Sequence, residues 1–147
     1  MEFNMMAVYK WLQQGGKVFG DKSQIELGIS MVESELKEFS DAVNENEQKD
    51  GIIDLLWQVC NLAYFAGLKL DELSEKNIAV LASNRSKFCD TEAEAKATVD
   101  AYILGVHPDK MGVSIVTTYK KVGSKYVIYN MDGKIMKSIN YKNPDEA

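Results

Sequence analysis

Little in this chain suits cross-linking or soft-metal chemistry. It has two cysteines, Cys60 and Cys89, and a single histidine, His107. Two cysteines without metal-ligand spacing make neither a disulfide framework nor a thiolate site. One imidazole does not furnish the nitrogen ligands that zinc sites usually take. Buried thiols in a reducing compartment are what remains, so a cytoplasmic protein is expected. No apolar run approaches the roughly 20 residues of a membrane span, and no membrane partner is expected. The first residues, with Glu2 and Asn4, place no basic region before an apolar core, so no signal peptide is expected either. Basic excess is also missing. The chain carries 17 Lys and Arg against 22 Asp and Glu, a net charge of −5, which argues against nucleic-acid binding through a basic surface. A phosphorylated small molecule stays possible if a metal screens the acids. No Walker motif, nucleophile elbow, internal repeat or low-complexity segment is present.

The 147 residues, 46% hydrophobic and 27% charged, suit one globular domain with room for a small appendage. Met5, Val8, Trp11 and Leu12 recur at helical spacing, predicting a first helix over about 4–19, weakened at Gly15-Gly16. A second is expected over 22–44, capped by Asp21 or Ser23, with Ile25, Ile29, Val32, Leu36, Phe39 and Val43 as its core line. The polar stretch 44–49 reads as a turn. A third helix is expected over 50–66, a fourth over 71–88, and a fifth over 92–104 behind the capping box Thr91-x-x-Glu94. Gly105 to Pro108 breaks the last of these. Beyond it, Val113 to Val122, Tyr126 to Tyr129 and Ile135 to Ile139, separated by glycine turns, predict a hairpin or meander. The expected architecture is mainly α: a helical bundle of four to five helices over residues 1–110, with a small C-terminal β-hairpin or meander over 111–147. His107 is expected on a surface loop, and Trp11 and Trp57 in the core, though Trp11 could line a pocket.

Chemistry concentrates on the second and third helices. Glu35 and Glu38 lie one turn apart, beside the core line rather than opposite it. The third helix is apolar over most of its circumference, with Ile52, Ile53, Leu55, Leu56, Trp57, Val59, Leu62 and Phe65. Asp50, Asp54, Gln58 and Asn61 form one narrow polar stripe along it. A buried carboxylate without a partner costs several kcal/mol or neutralises, so this stripe must be satisfied or must coordinate something. Oxygen donors on two helices suit a hard cation, Mg²⁺ or Mn²⁺, better than zinc. Leu56, Val59 and Phe65 exceed what a two-helix face hides, so two copies are expected to pair these helices in a four-helix core. The cluster Ser83-Asn84-Arg85-Ser86-Lys87 reads equally well as a helix end with dipole-complementary charge or as a phosphate-binding group.

Glu35-x-x-Glu38, Asp54 with Asn61 on an apolar helix, and Ser83-Asn84-Arg85-Ser86-Lys87 together resemble the all-alpha nucleoside triphosphate pyrophosphatase (MazG-like) superfamily. The late segment Asp132-Gly133-Lys134, with Tyr141 and Pro144, is similar to its phosphoribosyl-ATP pyrophosphohydrolase-like branch of phages and bacteria. The resemblance implies Mg²⁺- or Mn²⁺-dependent hydrolysis of a (deoxy)nucleoside triphosphate, dUTP or a non-canonical one, to monophosphate and pyrophosphate. It implies a homodimer or dimer of dimers. Glu35, Glu38 and Asp54 would be metal ligands, with Asp50 a substitute ligand and Glu35 or Glu38 catalytic. Asn61, Asn84 and Lys87 would touch substrate. Two positions depart from the pattern: Ser34 and Gly51 stand where many relatives have acids. The alternative is therefore a non-catalytic nucleotide-binding or regulatory relative.

Overall fold

The computed structural model describes residues 2–109 and 116–145, and among these five α-helices precede a two-stranded antiparallel sheet. The mainly helical body with a small C-terminal hairpin is the architecture the hydrophobic periods anticipate.

Side-chain caps set the helix boundaries. Helix α1 (Met5–Gln14) opens where Asn4 Oδ1 accepts the Met6 N–H at 2.8 Å, and it ends at the glycine pair without restarting before Phe19. A single 3₁₀ turn, Lys22–Gln24, is capped by Asp21 and leads into α2 (Ile25–Ser40). Helix α3 (Glu45–Phe65) starts five residues before the expected Asp50. Asn44 Oδ1 accepts the Glu47 N–H at 2.9 Å, while the Glu47 carboxylate accepts the Val43 N–H at 2.9 Å. This reciprocal box satisfies two orphan donors and turns a polar stretch that composition assigns to a loop into helix. Helix α4 is Leu70–Arg85, and α5 is Glu92–Ile103 behind its expected box, with the Glu94 N–H on Thr91 Oγ1 at 3.1 Å.

Strands β1 (Val116–Val122) and β2 (Lys125–Asn130) pair with Tyr119 opposite Ile128 and Val122 opposite Lys125. Residues 113–115 of the expected first strand lie outside the described residues. The expected third strand shrinks to one bridge, Tyr129 with Ile135, and one bond from the Met136 N–H to the Ile128 carbonyl. The cause is local. Asn130 Oδ1 accepts the N–H groups of Asp132 and Lys134, both at 2.9 Å, folding Asp-Gly-Lys into a tight Asx turn. Past Met136 the chain bonds to helices instead: the Ser138 hydroxyl donates to Glu94 at 2.6 Å, and the Ser138 N–H to the Lys87 carbonyl at 3.1 Å.

The chain divides into two compact units, Met1–Ser74 and Glu75–Ala147, with the boundary inside α4. In the first, Val8, Tyr9 and Leu12 of α1 pack on Cys60, Ala63, Tyr64 and Phe65 of α3, flanked by Leu70 and Leu73. The phenols are satisfied at the rim, Tyr9 on the Leu68 carbonyl at 2.8 Å and Tyr64 on the Lys17 carbonyl at 2.7 Å. The second unit buries Cys89, Ala95, Tyr102, Ile128 and Met136. Both cysteines are buried as expected, and burial pushes both thiols up, keeping them protonated. No single helix among the described residues is long and apolar enough to cross a membrane.

Three expectations are corrected. His107 is 2% exposed, stacked on Tyr102 at 3.8 Å, with Nδ1 accepting the Asp109 N–H at 2.9 Å. Trp11 is 56% exposed and meets half-buried Trp57 edge-on at 5.4 Å. On α2 the core line is rotated: Ile29 and Leu36 are exposed, whereas Gly28 is buried and Ile25, Val32, Glu35 and Phe39 are half-buried; Val43, also exposed, lies past the helix end at Ser40 instead of within the expected helix. Helix α2 packs chiefly on α3, with Gly28 set against Leu62. Replacing Asn44 with Ala removes the α3 cap and should lower unfolding free energy by about 1 kcal/mol, read from the midpoint of urea denaturation at unchanged m-value.

Candidate metal centre

The rotated face of α2 carries Glu35 inward. Gly28 lies against Leu62 and Phe39 against Gly51, so α2 and α3 run antiparallel. The same register places Asp54 level with Leu36, between Glu35 and Glu38. One carboxylate oxygen from each of Glu35, Glu38 and Asp54 lies within 4.8 Å of the other two. Glu35 is half-buried, while Glu38 and Asp54 are exposed. Sequence reasoning and structure thus meet on these three residues. Asp50 sits one turn earlier on α3, outside the three-carboxylate cluster, and lines the adjoining pocket.

That pocket holds about 440 Å³ and is lined by Glu38, Asp41, Ala42, Glu47, Asp50, Gly51 and Asp54. Sequence reading singled out neither Asp41 nor Glu47, since Asp41 falls within the expected second helix and Glu47 within the polar stretch read as a turn. The Asn44-x-x-Glu47 box is the signal that places Glu47 in the first turn of α3. No basic residue is among the described lining groups. The two cations adjoining them in sequence are paired elsewhere: Lys37 with Asp41 at 2.7 Å, which pushes the lysine up, and Lys49 with Glu45 at 3.2 Å.

Electrostatics mark Glu35 as the strained member. Its Oε2 is buried with no hydrogen-bond partner among the described residues. Its carboxyl is held above the usual glutamate range, first because a proton on it is shared with Glu38, then by burial and by the negative charge of Glu38 and Asp54. A hard cation would remove each cause by replacing the proton. The donor set fits one, with oxygens only and no histidine or thiol. Two oxygens ligating one ion lie at most about twice a metal–oxygen bond apart, roughly 4.2 Å for Mg²⁺ and 5 Å for Ca²⁺. A separation of up to 4.8 Å therefore closes on an ion with small side-chain adjustments.

The other expected residues are more dispersed. Asn61 lies two turns beyond Asp54, on the order of 10 Å along the axis. Its Nδ2 donates to Gln58 at 3.2 Å and its Oδ1 is buried without a partner among the described residues. Asn84 and Lys87 belong to the second unit. Asn84 is exposed at the end of α4, and Lys87 is half-buried just past it. Their serine neighbours are structural: Ser83 Oγ bonds the Tyr141 hydroxyl at 3.1 Å, and Ser86 Oγ accepts the Lys142 N–H at 3.0 Å. No protein-family model, curated protein or solved structure matches this chain.

A raised glutamate makes the sign of the pH dependence definite. Its contribution is intact below the ordinary value of 4.5 and is lost as pH rises through the elevated one. Without divalent cations, thermal melts should therefore show the wild-type midpoint falling from pH 4.5 toward 7 relative to Glu35→Gln, which lacks that titration. Mg²⁺ at pH 7 should restore the wild type, by about 2.7 kcal/mol at a hundredfold excess over Kd, and leave Glu35→Gln unmoved. Parallel pH profiles for the two proteins would contradict the assignment.

Proposed function

We propose that this chain hydrolyses a (deoxy)nucleoside triphosphate to the monophosphate and pyrophosphate with a divalent cation, Mg²⁺ or Mn²⁺, held by Glu35, Glu38 and Asp54. The observation that carries this reading is the convergence of three carboxylates from two helices on one point, with a buried Glu35 oxygen left unpartnered. The cation would neutralise phosphate charge and acidify a water. Glu35 or Glu38, or hydroxide on the cation, would serve as the base. Asp54 and Asp50 keep the α3 side of the site anionic, so the substrate's phosphates enter only with cations. Asn61 offers its unpartnered Oδ1 to an N–H donor of the nucleoside. This reading agrees with the resemblance to the MazG-like pyrophosphatases, with dUTP and non-canonical triphosphates as the expected substrates. Pyrophosphate release from a panel of triphosphates with Mg²⁺ or Mn²⁺ tests it. Turnover is expected, with Glu38→Gln slower by about 100-fold or more. Absence of turnover with every triphosphate sinks the enzyme. If nucleotide and Mg²⁺ together still raise the melting temperature, the chain is a binding module instead.

Self-association belongs to the same proposal. By helical geometry the acids occupy one flank of the α2–α3 pair, and Ile29 and Leu36 share the opposite flank with Ile52, Leu56 and Val59. All five are 38% exposed or more. An apolar strip along two helices is what a second copy would cover, building the four-helix core while leaving the acidic flank open. Leu56→Asp should shift a sedimentation-velocity dimer to monomer with its circular dichroism intact. A wild type that sediments as monomer at all concentrations removes this part.

A further inference from the structure

Gly51 first reads as a gap, the place where an acid is missing. Its surroundings give it a different part. Within a 21-residue helix a glycine weakens the helix relative to alanine, so an interior one usually answers a packing demand. Gly51 is buried, and a Cβ built there would stand 3.2 Å from both Cα and Cβ of Phe39. Those atoms belong to the α2 backbone and the root of its side chain, and no rotamer change moves them aside. Gly28, at the other end of the same pair, differs. Its one tight contact would be the Leu62 Cδ1 methyl at 3.0 Å, which can rotate away, while the Leu62 Cα and Cβ stand at an ordinary 3.8 Å. The incompressible contact therefore lies at the acidic end. Phe39 adjoins Glu38, and Gly51 is one turn before Asp54.

We propose that Gly51 is the positioning residue of the metal centre. Having no side chain, it lets α2 approach α3 closely enough for Glu38 and Asp54 to serve one ion. The inference rests on the cation reading above. Any side chain at 51 would push α2 outward by a few tenths of an ångström, and the shift passes straight into the separation of the adjacent carboxylates. Small hard cations tolerate little such change: metal–oxygen lengths hold within about 0.2 Å, and Mg²⁺ demands near-ideal octahedral geometry where Ca²⁺ does not.

The test is metal binding to the intact chain, with Mn²⁺ followed by electron paramagnetic resonance and Mg²⁺ and Ca²⁺ by competition. Gly51→Ala should keep its helical circular dichroism yet bind Mn²⁺ about tenfold more weakly, with Mg²⁺ losing more than Ca²⁺. Adding Asp54→Glu to Gly51→Ala should recover most of the loss, because the longer side chain spans the wider gap. Gly28→Ala should bind like wild type. In the wild-type background Asp54→Glu, at an exposed position, should weaken Mn²⁺ at least threefold by crowding a site already close. If Gly51→Ala does not fold, that single variant decides, and unchanged or tighter binding overturns the proposal. Wild-type affinity in a folded Gly51→Ala also overturns it while leaving the cation reading intact, provided Glu38→Gln has lost the metal. No Mn²⁺ binding by the wild-type chain takes both down together.

Discussion

Two helices can bring three carboxylates to one point only if their backbones lie close and stay there. The antiparallel contact of α2 on α3 is that constraint. Hydrophobic burial between these helices is modest, since α2 has a single fully buried residue, Gly28. The close approach is enforced from its ends and from behind. The Asn44–Glu47 box fixes where α3 begins, and Asp21 fixes the entry to α2. The aromatic cluster of Tyr9, Phe19, Tyr64 and Phe65 holds the far end of α3 against α1. Stability is therefore concentrated away from the acids, in keeping with function placed where local packing is weakest.

The same arrangement explains why carboxylate repulsion is tolerated. Glu38 and Asp54 remain in contact with water, and only one oxygen of Glu35 is withdrawn from it. Partial solvation keeps the metal-free state accessible, while proton sharing between Glu35 and Glu38 relieves part of the repulsion. A cation would substitute for that proton and for the missing positive side chains.

Where local chemistry decides, the sequence was legible. Hydrophobic period gave the helices, Thr91 and Glu94 gave the start of α5, and two acids one turn apart picked out two of the three carboxylates that the fold brings together. It was opaque wherever a partner surface decides. The line from Ile25 to Val43 is apolar on one side of a wheel, yet no wheel tells which helix will lie against it. Only the glycine–leucine and glycine–phenylalanine contacts show that Gly28 and Glu35 face inward while Leu36 faces out. His107 looked like a loop residue because its neighbours Gly105 and Pro108 break structure. Its burial comes from stacking on Tyr102, which no spacing rule encodes. The third strand failed for a complementary reason. Its residues have β-propensity, but Ser138 finds better partners on the helices than on β2.

Helix α4 carries one further consequence. Its first turns place Leu70 and Leu73 against the first core, and its last places buried Ser83 beside the tail of the second. Between them, Glu75 to Ile78 faces solvent on every side. That stretch keeps its helical form through backbone hydrogen bonds and intrinsic propensity, with no apolar burial to hold it, and is where the helix frays most readily.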